Sequence, residues 1–153
     1  MRQVYTVIEK MKDKIKDNGI TNTVTFGDIL EVDLDKTTIY PLSHISIGDV
    51  VFNTGIATVT LQVFCLDIVD KTNNLTDEDL IFGNDNLQDV LNTQLSVVND
   101  LQQELRRGSL FTDLLQITTD VTASPFLDNF ENQLAGWSVT FNIEMANNEH
   151  TIC

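Results

Sequence analysis

Residues 53–70, NTGIATVTLQVFCLDIVD, constrain the fold more than any other stretch. Ala57, Val59, Leu61, Val63 and Cys65 take alternate positions, with Thr58, Thr60 and Gln62 between them. Side chains with a two-residue period belong to a strand with one buried face. From Phe64 onward the other positions also turn apolar (Phe64, Leu66, Ile68), so a second layer should cover the opposite face there. A strand of this length needs neighbours.

The clearest neighbour is Trp137–Met145. Trp137, Val139, Phe141, Ile143 and Met145 alternate without a break against Ser138, Thr140, Asn142 and Glu144. Thr21–Phe26 reads as a short strand ended by Gly27-Asp28. Leu30, Val32 and Leu34 alternate with Glu31, Asp33 and Asp35, which predicts a strand with an acidic face. Ile39–Ile47 is a third candidate, with Pro41 expected at an edge or bulge because proline cannot donate to the ladder. Gly48-Asp49 and Asn53-Thr54-Gly55 bracket a short apolar segment, Val50–Phe52. Leu115, Ile117, Thr119 and Val121 predict a strand over 114–121. Thr122–Leu134, with Ser124-Pro125, reads as a loop whose Phe126, Leu127 and Phe130 turn inward.

Two helices stand out. Val4, Val7, Ile8, Met11 and Ile15 form one apolar stripe over 2–17, and Asn18-Gly19 stops it. Leu87, Val90, Leu91, Leu95, Val98, Leu101 and Leu105 recur at three- and four-residue steps over 86–107. Arg106 and Arg107 sit in that helix's last turn, where cations meet its negative end, and Gly108 follows. Between strand and helix lies a long acidic loop, 71–85, in which Leu80-Ile81-Phe82 is an apolar exception. Residues 147–153 are a polar tail. This order predicts one α+β domain over 1–153: an antiparallel or mixed sheet, with an N-terminal helix and a long second helix packed mainly on one face.

Charge is distributed unevenly. Residues 1–16 hold five bases against two acids (+3); the remainder holds four bases against 21 acids (−17), for a net −14. DNA affinity rests on neutralising phosphates with Lys and Arg, so the body of this chain is a poor DNA binder. The first helix is too charged for a signal peptide, and no apolar run approaches a membrane span. Cys65 and Cys153 are expected to be free thiols of a protein made in a reducing cytosol.

No catalytic, metal or cofactor constellation is legible. His44 and His150 lack ligand-spaced partners. Cys65 could act as a nucleophile only with a base beside it in space, and His44 is the candidate. The acidic clusters at Asp28–Asp35 and Asp77–Asp79 lack the calcium-loop pattern, and no glycine-rich phosphate loop or GxSxG is present.

The order of elements and several local phrases carry a resemblance. A basic amphipathic helix leads to Ile39-Tyr40-Pro41; a threonine-rich alternating strand, Ala57–Asp67, precedes a long helix; the end is Gly136-Trp137-Ser138-Val139-Thr140-Phe141-Asn142-Ile143-Glu144-Met145. This resembles the tail-terminator, or tail-completion, proteins of tailed bacteriophages over nearly the whole chain. The resemblance implies a virion structural protein, assembled in the bacterial host cytoplasm, with no catalytic residues. It implies a homo-oligomeric ring, commonly a hexamer, that ends tail-tube growth and joins the tail to the head connector, with DNA passing through unbound. The expected bore or interface residues are Glu31, Asp33 and Asp35; Asp77, Glu78, Asp79, Leu80 and Phe82; and Lys10, Lys12 and Lys14 of the first helix. Two other readings fit the residues: another neck, connector or baseplate ring protein, and a monomeric α+β domain binding a small molecule in a pocket.

Overall fold

The computed structural model describes residues 2–29, 32, 39–69, 87–112, 114–129 and 133–147. Helix α1 (Arg2–Asp17) leads to strand β1 (Thr23–Phe26), then β2 (Leu42–Asn53) and β3 (Ile56–Ile68). Helix α2 (Leu87–Arg107) is followed by the single turn α3 (Ser109–Thr112), and then by β4 (Leu115–Gln116), β5 (Ala123–Asn129) and β6 (Gln133–Ala146). The strands form one mixed sheet, ordered β1-β2-β3-β6-β4, with β5 also on β6. Among the described residues, only β1 and β2 run parallel; every other pair is antiparallel. The α+β class, the mixed sheet and the two helices are as the hydrophobic periods predict.

Strands β3 and β6 make the centre. Their register places Ala57 opposite Met145, Val59 opposite Ile143, Leu61 opposite Phe141 and Val63 opposite Val139. All eight are buried. Val7, Met11 and Ile15 of α1 pack into the same cluster as Val97, Leu101 and Leu105 of α2. Both helices therefore cover one face of the sheet. On the other face Thr60 Oγ1 donates to Asn142 Oδ1 (2.9 Å) and Gln62 Nε2 to Ser138 Oγ (3.0 Å), as expected of the polar alternate positions. That face turns apolar where the sequence does. Leu42, Leu66 and Leu134 bury there with Tyr40, and Ile39, Phe64 and Phe126 pack against them.

Several expectations need correcting. Residues 50–52 are not a separate segment but the continuation of β2. The register slips between Ile47/Leu61 and Val50/Val59, so Gly48-Asp49 form a bulge rather than a break. The hairpin turns at Thr54-Gly55, where Gly55 has φ +73°. Pro41 does not lie inside a strand: a cis Tyr40-Pro41 bond precedes β2, and the Pro41 carbonyl accepts from the Asn22 and Thr23 amides. The strand expected over 114–121 is only Leu115–Gln116. The loop expected over 122–134 instead contains β5, an edge strand on β6 that tolerates Pro125. Leu127 on it is 59% exposed rather than tucked inward, whereas Phe126 is half-buried. Of the acidic strand predicted around 28–35, Ile29 and Val32 are joined by a turn-like bond from the Val32 amide to the Ile29 carbonyl (3.2 Å). The rest of that segment, the loop 71–85, Phe130 and the tail after Asn147 lie outside the described residues.

One position ties the two central strands together. Gly136 sits opposite Leu66, and an added Cβ would overlap the Cys65 carbonyl. Backbone cannot yield as a flexible side chain would. Gly136→Ala is therefore expected to cost about 3 kcal/mol or more, read as a lower urea midpoint with an unchanged slope.

Candidate functional site

Polar groups buried in the sheet are the first place to look for chemistry. Ser43 and His44 are adjacent in β2 and fully buried, so they point to opposite faces. On the helix side Thr21 Oγ1 lies 3.1 Å from Ser43 Oγ, which donates to Cys65 Sγ at 3.7 Å. On the other side His44 Nδ1 lies 2.6 Å from Thr25 Oγ1, and Nε2 lies 2.9 Å from the Gly27 carbonyl. A carbonyl only accepts, so Nε2 carries the proton and Nδ1 accepts from the Thr25 hydroxyl. Cys65 and His44 thus cannot form a nucleophile–base pair. Burial pushes the Cys65 thiol up to about 12, with Ser43 opposing it weakly, and an inert thiol results.

His44 is held neutral mainly by burial, which lowers its pKa against the upward pull of the Gly27 carbonyl and Asp28. Both ring nitrogens latch the end of β1 onto β2. Ser46 Oγ adds a bond to the same Gly27 carbonyl (3.0 Å).

The expected interface residues are placed unevenly. Lys12 Nζ bridges Glu9 (3.3 Å) and lies 5.8 Å from the Phe26 ring centroid. Lys14 Nζ is 3.7 Å from Glu104, whose Oε2 also accepts from the Ser109 amide and hydroxyl (2.8 and 2.9 Å). Those Ser109 bonds are the main reason the Glu104 carboxyl is more acidic than usual. Lys10 is half-buried on the same helix. The structure therefore spends Lys12 and Lys14 on partners within the chain, through half-exposed pairs that contribute little and can be exchanged. Glu31, Asp33, Asp35, Asp77, Glu78, Asp79, Leu80 and Phe82 lie outside the described residues. Among the described residues, no group of His, Cys, Asp and Glu is arranged to hold a metal, and no helix is long and apolar enough to cross a membrane.

Periodicity alone did not reveal the exposed apolar surface. Val51 and Phe52, near the β2–β3 turn, are 60% and 61% exposed, although they continue an apolar strand. Leu114 is 71% exposed and holds φ +65°, a conformation costly for a branched side chain. Leu114, Phe111 and Ile56 line an open groove of about 490 Å³ that ends at Met145 and Glu144. A second groove, of about 510 Å³, runs between α2 and the 121–123 segment, lined by Leu95, Val98, Val121 and Ala123 with Arg106 at one end. Arg106 donates to Gln102 Oε1 and to the Thr119 carbonyl, both at 3.0 Å. A β-strand cannot show its uncovered apolar positions in sequence, because coverage depends on where the helices end.

No protein-family model matches the chain, and no curated protein is similar to it in sequence.

Two measurements follow. The unfolded chain takes up a proton at His44 near pH 6.5, while the folded chain resists until lower pH. Stability should be level above about pH 7, fall as pH drops through 6.5, and level again once the folded form protonates. Urea midpoints at pH 7.5 and 5.5 should differ in the native protein and differ less in His44→Gln. Gln94, fully buried on α2, has no hydrogen-bond partner among the described residues at either amide atom. Gln94→Met keeps the shape and removes that penalty, so it should stabilise by about 1–3 kcal/mol; a lower urea midpoint would contradict this account.

Proposed function

We propose that this chain is a structural ring protein of a tailed bacteriophage, a tail terminator. On this reading it closes the head-proximal end of the tail tube and presents a surface to the head connector. What carries the reading is the order of elements. A basic amphipathic helix, a proline-preceded strand, a long alternating strand, a long helix and a final alternating strand that carries Trp137 follow one another, in the order of the family it resembles. Trp137, four residues into that last strand, donates its indole N–H to the Leu91 carbonyl of α2 (2.7 Å) and so joins strand to long helix. Two properties suit such a role. The side chains with chemical potential, Cys65 and His44, are buried in structural hydrogen bonds on opposite faces. The net charge of −14 disfavours adhesion of DNA moving past the protein.

A different ring component of the neck or baseplate would share these properties and differ in where it sits on the particle. The small-molecule reading draws on the two grooves, both of which are open to solvent.

Sedimentation velocity and negative-stain microscopy of the purified full chain test the proposal. Closed rings of one size with a central opening are expected, together with labelling at the tail–head junction of assembled particles. A monomer at every concentration, absent from any ring on a particle, would end it.

A further inference from the structure

A ring made by rotation needs two different surfaces on each copy, meeting at the same height so that the contact closes without a rise. We infer that these surfaces are the open half of β2 and the opposite sheet edge between Leu114 and Ala123, with the next copy of this chain as occupant. The inference rests on the ring reading and specifies its contact.

Strand β1 pairs only with Leu42–Ile45, so among the described residues the outer side of Ser46–Asn53 has no strand beside it. This open edge is apolar, carrying Ile47 (44% exposed), Val51 and Phe52. Such an edge invites another strand, and the Gly48-Asp49 bulge limits which one by interrupting its ladder.

The register gives the height of each residue on the far side. Phe52 pairs with Ala57, Ala57 with Met145, and Met145 with Leu115, one straight row across the sheet. Ile47 pairs with Leu61, and Leu61 with Phe141. Phe141 lies on the stretch of β6 between its partners Leu115–Gln116 and Ala123, flanked by residues 117–122. Thus Val51 and Phe52 stand level with the exposed Leu114 and its groove, and Ile47 stands level with the groove at Val121. Projecting apolar groups on one edge match recesses on the other.

The bulge carries the exposed Asp49, and the far edge answers it with Arg106 at the end of α2, on an edge that also carries Asp120 and Glu144. Arg106 reaches that edge directly through the Thr119 carbonyl. Since β2 runs with β6 and against β5, copies turned about an axis along the strands meet with these edges antiparallel. An antiparallel seam permits strand pairing as well as side-chain contact.

Cross-linking of the full chain tests this. In a Cys153→Ser background the remaining Cys65 is buried and inert. Asp49→Cys places a thiol on the exposed β2 bulge, and Asn99→Cys places one on α2, where the exposed Asn99 lines the far-edge groove with Val121 and Ala123. A short bis-maleimide should join the two variants when mixed and neither with itself. The double variant should give a ladder that stops at the ring size. Phe52→Ser and Asp49→Arg should each weaken assembly at least about ten-fold, a loss of one well-placed contact. Rings that persist in both substitutions without the mixed cross-link would overturn this contact while leaving the ring reading intact. Self-linking of Asp49→Cys would overturn it in favour of a two-fold contact. A wild-type chain that never assembles would remove both.

Discussion

The pairing of β3 with β6 over Ile56–Ile68 and Ala146–Leu134 is what the rest of the molecule depends on. On one side this ribbon presents Val59, Leu61, Val63, Phe141 and Ile143 as a continuous apolar strip. Burying such side chains contributes about 1.5–3 kcal/mol each. Helices α1 and α2 have one narrow stripe apiece, and each packs most of its stripe into the cluster built on this strip. The outer strands then attach to a centre that is already defined. At Gly136 the two strands come so close that the backbone of one occupies the space of the other's side chain.

The helices cover less than the whole strip, and this incomplete cover shapes the surface. Beyond the bulge, β2 continues past the end of β1, so Phe52 is left in solvent although Ala57 beside it is fully buried. On the far side the chain leaves β6 after Gln116 and returns at Ala123, which opens the groove under α2. Both edges of the sheet are thereby irregular and apolar in the same half of the molecule. On the ring reading proposed above, a subunit with two unlike neighbours would use both.

The buried polar groups serve the architecture. Thr21, Ser43 and Cys65 satisfy one another across β1's approach, β2 and β3. His44 with Thr25 and Gly27 does the same on the opposite face. Each set secures the β1 pairing, which is four residues long and parallel, a geometry slightly less stable per residue than the antiparallel one. Gln94 breaks this pattern: among the described residues its buried amide on α2 finds no partner.

Sequence by itself determined the elements whose period extends far enough to be unambiguous. The stripe of α1, the α2 stripe and the alternation of β3 each span ten or more residues and formed within about three residues of the predicted bounds, whereas β6 alternates over Trp137–Met145 as predicted but begins four residues earlier, at Gln133. The second-face cover at Phe64–Ile68 was legible for the same reason, because burial on both faces erases alternation. Short or interrupted segments were decided by tertiary structure. Gly48-Asp49 carries the local signal of a break, yet continued pairing with β3 turns it into a bulge. Ser124-Pro125 carries the signal of a loop, yet β6 offers an unpaired edge that accepts it. The opposition of His44 and Cys65, and the apolar edges at Phe52 and Leu114, depend on which strands are neighbours and where the helices stop. Those are facts about pairing across the chain, and local residue patterns do not contain them.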